Sequence, residues 1–367
     1  MILKIYKDLF TLEATSGFEK PVRNYMIDFM KNYPNYEIEK DHLGSVFAVK
    51  RSSDPHAPIV MVAGHMDEVG LMVVGITKYG MLKLQNIGGL NGEVFISQVL
   101  NVHTKDGIIK GVIGALPPHL KQSQQTQISD LILDIGASSK EEALSFGVEL
   151  GNMVLFDNPF FYTKNKQRVI SKAIDNRYGC GLALETIKKF HDIDLPYTLV
   201  VGATVQEEVG LRGAETAVNK FMPDIFLALD ASPVNDMTSS DSLGKLGEGF
   251  LLRLYDPRNV MHTGLLDYFV NLAKKRNIKY QYFTSKGGTD AAKALDMDAG
   301  ILATTIGLPA RYIHSTAAMM DTRDLDACQK MLYTVLKTLN PEKIKKLKEA
   351  NSWLKRYTMA LKCQNLV

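Results

Sequence analysis

The stretch TLVVGATVQEEVG, residues 198–210, places two adjacent glutamates, Glu207 and Glu208, directly after an apolar run. The run over 198–205 predicts a strand buried on both faces, which is typical of a parallel sheet. In open α/β sheets ligands bind outside the carboxyl ends of the strands, so the glutamates lie where a site is expected. Neighbouring side chains of an extended chain point to opposite sides, so one carboxylate could bind a metal while the other moves a proton. Taken alone, the pair would also suit a solvated loop.

Predicted strands and helices alternate on both sides of this stretch. Apolar runs predict further strands over 59–63, 225–231, 249–255, 279–285 and 301–306, and a hairpin from 36–39 and 46–51. Helical spacing of apolar residues predicts helices over 19–31, 176–191, 213–221, 264–277 and 321–339. Such alternation indicates a sheet covered by helices on both faces, so the predicted fold class is α/β.

Residues 71–161 have a different texture, with short β-like runs and turn signals such as Asp106-Gly107. Within this range only 138–146 has helical spacing. We therefore expect a mostly β domain inserted into the α/β domain, whose two parts would be residues 1–70 and 162–340. The remaining residues, 341–367, are rich in lysine and predict an amphipathic C-terminal helix with a solvated basic face. A membrane-surface or subunit contact is the alternative for that helix.

Composition excludes several classes of protein. The chain has 367 residues with 46% apolar content, and it lacks a run of about 18 apolar residues that could span a membrane. Its first residues carry no secretory pattern, and Cys180, Cys328 and Cys363 suit reduced thiols better than a disulfide framework. We therefore expect a cytoplasmic protein. A formal net charge of +3 is too small to indicate nucleic acid as a partner.

Ligand-type side chains also follow other predicted strands. His65 and Asp67 come after the strand at 59–63, Asp175 precedes a helix, Asp230 ends the run 225–229, and His314 follows Tyr312-Ile313. Each has an ordinary structural explanation, such as a helix cap, a turn aspartate or a near-surface histidine. Together with the glutamate pair they favour a metal site, because imidazole and carboxylate bind zinc, cobalt and manganese. Two ions lying about 3.5–4 Å apart would need a bridging carboxylate.

A set of motifs resembles one family of dinuclear metallopeptidases, the tetrahedral aminopeptidases. The motifs are LEATSGFEKPVR (12–23), GHMDEVGLMV (64–73), KAIDNR (172–177), TVQEEVGLRGA (204–214), ALDASP (228–233), GGTDAA (287–292) and ARYIHS (310–315). Residues 247–307 look most similar to the bacterial glutamyl aminopeptidases of that family. The resemblance implies an aminopeptidase-like α/β/α sandwich with an inserted β-rich dimerisation domain. It also implies dimers that assemble into a tetrahedral dodecamer acting on short peptides.

The resemblance assigns roles to individual residues of this sequence. It implies two divalent ions per subunit, zinc or cobalt or possibly manganese, with His65 and Asp230 on one ion, Glu208 and His314 on the other, and Asp175 between them. Glu207 would be the general base, and Asp67 would orient His65. A preference for N-terminal glutamate or aspartate would need a cationic pocket. Our candidates for that pocket are Arg258, Lys286 and Arg311, with a wall formed by Gly288, Thr289 and Asp290.

Three other functions remain open from the sequence. The same metal site could hydrolyse N-acyl amino acids or remove blocking groups from peptides. A non-catalytic assembly protein could retain the ligands, although such a site would have no use for the base Glu207. Glycoside hydrolysis by paired carboxylates would leave His65 and His314 unexplained.

Overall fold

The computed structural model of the chain describes residues 4–114, 126–157, 160–238 and 242–350. Twelve strands of this part form one sheet: Glu37–Lys40 (β1), Val46–Lys50 (β2), Ile59–His65 (β3), Phe161–Tyr162 (β10), Arg168–Ser171 (β11), Thr198–Thr204 (β12), Ile225–Pro233 (β13), Phe250–Asp256 (β14), Asn259–Val260 (β15), Tyr280–Thr284 (β16), Leu302–Arg311 (β17) and Ala318–Asp321 (β18). Six more close a barrel: Gly70–Ile76 (β4), Leu82–Ile87 (β5), Val99–Thr104 (β6), Gly107–Ile113 (β7), Ile132–Asp134 (β8) and Met153–Phe156 (β9).

The described residues also form nine α-helices: Lys4–Thr11 (α1), Lys20–Met30 (α2), Lys140–Ser145 (α3), Ile174–Phe190 (α4), Arg212–Phe221 (α5), Thr263–Arg276 (α6), Asp290–Leu295 (α7), Thr322–Thr338 (α8) and Pro341–Glu349 (α9). None of these helices is long and apolar enough to cross a membrane. The helix α9 buries Ile344 and Leu347. The rest of the predicted C-terminal helix lies outside the described residues.

The centre of the large sheet is parallel. Strands β12, β3, β13 and β17 are adjacent in that order and run in the same direction, with Thr204 opposite His65 and Asp230 opposite Gly307. The neighbouring strands β2, β14 and β18 pair antiparallel with this centre. The carboxyl ends of the parallel strands therefore meet at one edge of the sheet, which is where a ligand is expected.

Helices cover both faces of this sheet. On one face, Val60 and Val62 of β3 belong to a core cluster that also contains buried residues of α1, α2, α4, α6, α8 and α9. On the other, Met61 and Ala63 pack in a cluster with residues of α5 and α7. Alternate residues of β3 are thus buried on opposite sides. The predicted α/β class is confirmed, including the sandwich arrangement and a separate β-rich body.

The helix α4 approaches the sheet unusually closely. A Cβ atom built on Gly64 would lie 2.6 Å from the carbonyl carbon of Gly179, and one on Gly179 would lie 2.5 Å from the carbonyl oxygen of Leu229. Only glycine permits this contact between helix and strand backbones. As a result the beginning of α4, with Asp175, lies beside the end of β3.

The barrel runs from β4 to β9 and has its own apolar core, which includes Leu71, Leu100 and Val154. Apart from Gly70, it lies within the range 71–161 for which we expect an inserted β-rich domain. The limits of that domain, and of the α/β parts at 1–70 and 162–340, stay predictions. Among the elements that the sequence did not predict are α1, α7, β10, β11 and β18, none longer than eight residues.

Candidate metal centre and substrate cavity

The predicted ligands come together at the carboxyl edge of the sheet. His65 is the last residue of β3, Asp230 lies in β13, and the pair Glu207 and Glu208 follows β12. Asp175 comes from the first turn of α4, and His314 from the loop between β17 and β18. The His65 and Asp230 side chains are buried, whereas the His314 side chain is 33% exposed.

Asp175 lies between the two imidazoles. Its Oδ1 is 3.4 Å from Nε2 of His65, and its Oδ2 is 3.4 Å from Nε2 of His314. Asp230 Oδ1 lies 3.7 Å from the same atom of His65, and Glu208 Oε2 lies 3.3 Å from Nε2 of His314. The arrangement therefore has two halves that share one carboxylate, as a pair of ions would require.

The side chains present fit divalent cations. Candidate ligand atoms of His65, Glu207 and Asp230 all lie within 4.8 Å of one another, as do those of His65, Asp175 and Glu208. Oδ1 of Asp175 and Oε1 of Glu208 are buried and find no hydrogen-bond partner among the described residues. Buried charged oxygens without partners are costly, and a cation would compensate them. Nitrogen and carboxylate ligands of this kind suit zinc, cobalt or manganese.

The electrostatics of the cluster also favour positive charge. Burial raises the pKa of Glu207 well above its usual value, and the neighbouring Asp230 and Glu208 add to this rise while His65 opposes it. Burial likewise raises the pKa of Asp230, with Asp175 as the next cause. Burial would raise the pKa of Asp175 as well, but the neighbouring imidazoles of His314 and His65 hold it well below its usual range. Bound cations would stabilise the charged form of each of these carboxylates.

Both imidazoles are oriented through their second nitrogen. Nδ1 of His65 lies 3.1 Å from the carbonyl oxygen of Asp67 and 3.4 Å from its Oδ1. Nδ1 of His314 lies 2.8 Å from the carbonyl oxygen of Gly89, which follows the barrel strand β5. In each case Nε2 is left facing the carboxylates, as metal ligation requires. Asp67 also accepts hydrogen bonds from Ser16 Oγ (2.7 Å) and from the backbone N–H groups of Glu207 and Glu208 (3.1 Å each).

A cavity of about 750 Å³ opens beside the cluster. The candidate ligands line one part of it together with Glu207; they are His65, Asp175, Glu208, Asp230 and His314. The rest of its lining includes Asn235, Ser242, Leu243, Arg253, Tyr255, Phe283, Thr284, Ser285, Lys286, Gly287 and Gly288. The volume is sufficient for an amino-acid residue together with part of a peptide.

The structure brings only some of the predicted pocket residues to this cavity. Lys286 and Gly288 line it. Arg258 is exposed after β14 and lies outside the lining. Arg311 is buried and donates to both carboxylate oxygens of Asp236, Nε to Oδ1 at 2.6 Å and a terminal nitrogen to Oδ2 at 2.7 Å. Arg311 also lies outside the cavity lining, so we no longer place it in the pocket.

Thr289 and Asp290 also lie outside the cavity lining; they stand at the beginning of α7. Asp290 accepts a hydrogen bond from Thr204 Oγ1 at 2.5 Å, and Thr289 Oγ1 lies 2.8 Å from Thr305 Oγ1. Both side chains are almost fully buried. Asp290 contacts the end of β12, Thr289 contacts β17, and neither forms the cavity wall that we expected from the sequence.

Arg253 is the cavity residue that sequence reasoning missed. It lies inside the apolar strand β14 and is 5% exposed. Its terminal nitrogens donate to Ser232 Oγ (2.8 Å) and to the carbonyl of Gly287 (3.0 Å), and one of them lies 3.5 Å from Oδ2 of the buried Asp256. Its Nε has no hydrogen-bond partner within the described part of the chain. A single arginine in the run Phe250–Asp256 was the available signal, because buried arginines need a partner or a task.

Several known proteins are similar to this chain in sequence and in fold. Residues 44–331 match the family model described as M42 glutamyl aminopeptidase. The chain is 41% identical over 348 residues to the glutamyl aminopeptidase of Lactococcus lactis subsp. cremoris, covering 93% of this chain and 98% of that relative.

Two solved structures show the same likeness. The TET aminopeptidase of a Thaumarchaeota archaeon from marine sediment is 33% identical with a TM-score of 0.89, covering 94% of this chain and 98% of its own. The TET1 peptidase of Pyrococcus horikoshii, which can assemble into a tetrahedron or a large octahedral shell, is 30% identical with a TM-score of 0.83. That match covers 92% of this chain and 99% of the other.

Proposed function

The chain belongs to the M42 glutamyl aminopeptidase family and is a peptide hydrolase, and we propose that it removes acidic residues from the N-termini of short peptides. The observation that carries this proposal is the cavity in which a ligand cluster for two cations adjoins the buried cation Arg253. The cluster supports the hydrolysis, and the arginine supports the choice of residue.

The family uses divalent metal, and our proposal concerns how this chain would hold it. His65 and Asp230 would bind one ion, Glu208 and His314 the other, and Asp175 both. Zinc, cobalt and manganese all suit this set of ligands. Two such ions, when bound, would lower the pKa of a water molecule and polarise the carbonyl of the first peptide bond.

Glu207 is the residue that we assign to proton transfer. Its carboxylate lines the cavity, with Oε2 3.7 Å from Nε2 of His65. This buried carboxylate beside the candidate ligands is placed to take up a proton and hold it between two steps. Glu207 would accept the proton of the attacking water and return it to the leaving amine. Asp67 would keep Glu207 in place through the hydrogen bond to its backbone N–H.

The acidic preference rests on Arg253 and Lys286. Both line the cavity, and Arg253 is held by Ser232 and Gly287 so that its position is fixed. A guanidinium recognises a carboxylate through charge-assisted hydrogen bonds, whereas the exposed Lys286 would add a point charge. A substrate whose first side chain ends in a carboxylate therefore complements this part of the cavity.

The deciding experiment measures release of Glu, Asp, Leu and Lys from matched N-terminal chromogenic amides, with the N-acyl derivatives of the same amino acids as a second set of substrates. The protein would be depleted of metal and then reloaded with zinc, cobalt or manganese. We expect activity to return with metal and to be highest on Glu or Asp. Metal-dependent activity led by Leu or Lys would discard the acidic pocket. Activity on N-acyl substrates alone would point to deblocking, and no activity on any substrate would point to an assembly protein.

Assembly is a separate part of the proposal. We propose that the barrel mediates dimerisation and that dimers build a tetrahedral dodecamer, because the related TET1 peptidase forms such shells. Val99, Val112 and Ile132 support a contact there, since they lie on adjacent barrel strands and are each more than a third exposed. Light scattering should then give a particle of twelve 40.8 kDa subunits, and a monomer would contradict the proposal. A cytoplasmic location stays a prediction from the sequence.

A further inference from the structure

The loop that carries Glu207 and Glu208 is held by two buried carboxylates from other parts of the chain. Three successive backbone N–H groups each donate to one carboxylate oxygen. Gln206 donates to Glu19 Oε1 at 3.1 Å, while Glu207 and Glu208 donate to the two oxygens of Asp67. The aspartate lies beside the ligand His65, but Glu19 comes from the beginning of α2 and does not line the cavity.

The carbonyl groups of the same loop are bound by the residues that follow it. Gly213 donates to the carbonyl of Val205, Arg212 to that of Gln206, and Gly210 and Leu211 to that of Glu207. Gln206 has a φ of 54°, a left-handed conformation that side chains other than glycine adopt at a cost. The surrounding hydrogen bonds must therefore hold this residue in place. Glu19 supplies the one that acts on its N–H.

Glu19 is itself fixed by its neighbours. Its Oε1 also accepts from the N–H of Gly17 at 2.8 Å, and the residue is 4% exposed. Three positions earlier, Ser16 donates to Asp67 Oδ2 at 2.7 Å. The short segment Ser16–Glu19 thus acts twice on the loop, through Asp67 and directly through Glu19. This explains a sequence motif, TSGFE at 15–19, that contributes no ligand and no cavity residue.

We propose that Glu19 is a positioning residue, which holds the Gln206 N–H and thereby directs the carboxylate of Glu207 toward the reacting water. The inference rests on the proposed function, because it concerns the geometry of the base. Displacement of a catalytic group by about 1 Å can cost up to about 100-fold in rate, so a single hydrogen bond to the adjacent residue can matter. Substrate binding and the ligand set would be left intact, since Glu19 touches neither.

Three substitutions separate the hydrogen bond from the charge. Glu19→Gln removes the charge but keeps an acceptor oxygen at the same distance from the backbone. Glu19→Asp keeps the charge but has a shorter side chain, which moves the acceptor oxygens away from the loop. Glu19→Ala removes the charge and the acceptor. We expect kcat on a glutamyl amide to fall about tenfold in Glu19→Ala, less in Glu19→Asp, and less than about twofold in Glu19→Gln. KM and the metal content per subunit should stay at the wild-type values in all three.

A second measurement does not depend on activity. Hydrogen exchange of a peptide covering residues 204–213 should be faster in Glu19→Ala than in wild type, and restored to the wild-type rate in Glu19→Gln. Thermal unfolding of each variant identifies any general loss of fold, in which case the aspartate and glutamine variants carry the test. Unchanged exchange in Glu19→Ala, or a fall in kcat in Glu19→Gln equal to that in Glu19→Ala, would overturn the inference. An inactive wild type would overturn the proposed function, while the exchange data would still decide whether Glu19 holds the loop.

Discussion

The two sides of the cavity are built in different ways. One side, the metal side, is formed by the candidate ligands and Glu207, and most of these residues lie at the end of a strand or the beginning of a helix. Backbone carbonyl groups lie beside Nδ1 of both histidines and orient the two imidazoles. The other side, the substrate side, includes Arg253, Lys286 and Gly288. Arg253 projects from the middle of β14, and the other two residues lie in the loop between β16 and α7. The metal side follows from the topology of a parallel sheet, whereas the substrate side depends on how a peripheral strand packs.

This difference matters for function as well as for prediction. In our proposal the metal side carries out the hydrolysis of any substrate, whereas the choice of substrate depends on the other side. We therefore expect substitutions on the metal side to change the rate for all substrates alike. Substitutions on the substrate side should change the ratio between substrates and leave metal binding unaffected.

The largest effect should come from Glu207→Gln. We expect kcat to fall about 100-fold or more on every substrate, because the proposed general base is lost while the shape of the side chain is kept. Metal analysis should still find two ions per subunit. The matched control is Glu215→Gln in α5, a partly exposed glutamate paired with Lys293 away from the cavity, which should behave as wild type. A metal content reduced by one ion would mean that Glu207 is a ligand. This outcome is tested because Glu207 Oε2 lies 3.7 Å from Nε2 of the candidate ligand His65.

The next effect concerns metal content. We expect His314→Ala to lose one ion per subunit after dialysis, because Nε2 of His314 faces both Glu208 and Asp175. Elemental analysis of the dialysed protein measures this directly. His56→Ala, on an exposed turn, is the control and should retain both ions. Two ions retained by His314→Ala would remove this residue from the ligand set and make the cluster less symmetric than proposed.

The candidate ligands lie together at one edge of the sheet for a physical reason. Apolar runs identify the strands β3, β12 and β13, and parallel strands end at a common edge, so their following residues meet. The contact between α4 and β3 could not be predicted, because it depends on Gly64 facing Gly179. The sequence nevertheless included Asp175, since the residue precedes a predicted helix. The family resemblance implied a bridging position for Asp175, and the structure gives a distance of 3.4 Å from its carboxylate to each of the two imidazoles.

The third prediction tests the substrate side. We expect Arg253→Met to lower kcat/KM for the glutamyl amide relative to the leucyl amide by roughly 10- to 100-fold, since hydrogen bonds to charged groups contribute about 1.5–3 kcal/mol. Steady-state kinetics on the two amides gives the ratio. Metal content should not change, and thermal unfolding shows whether the methionine is accommodated. An unaltered ratio would separate Arg253 from substrate selection and leave it as a structural partner of Ser232 and Gly287.

Sequence reasoning failed on the substrate side because local pattern does not determine which way these side chains point. The pairing of β14 with β16 shifts register between Arg253 and Tyr255, and such irregularities re-aim side chains. Arg311 adjoins the His314 motif, yet it pairs with Asp236, which lies 75 positions earlier. Thr289 precedes and Asp290 begins a six-residue helix, which is too short for apolar periodicity to reveal. In each case a tertiary contact overrides what proximity in sequence suggests.

The smallest effect distinguishes the two remaining lysine and arginine candidates. Lys286→Met should lower the ratio of kcat/KM for the glutamyl amide to that for the leucyl amide by only about two- to fivefold. Lys286 is exposed, and an ion pair between exposed groups contributes up to about 1 kcal/mol. Arg258→Met should leave the ratio at the wild-type value, because the residue lies outside the cavity lining. The two variants remove one positive charge each, so the net charge of the protein cannot account for a difference between them. A larger effect at Arg258 than at Lys286 would mean that the acidic side chain binds beyond β14, and the substrate side would then have to be placed at the exposed end of that strand.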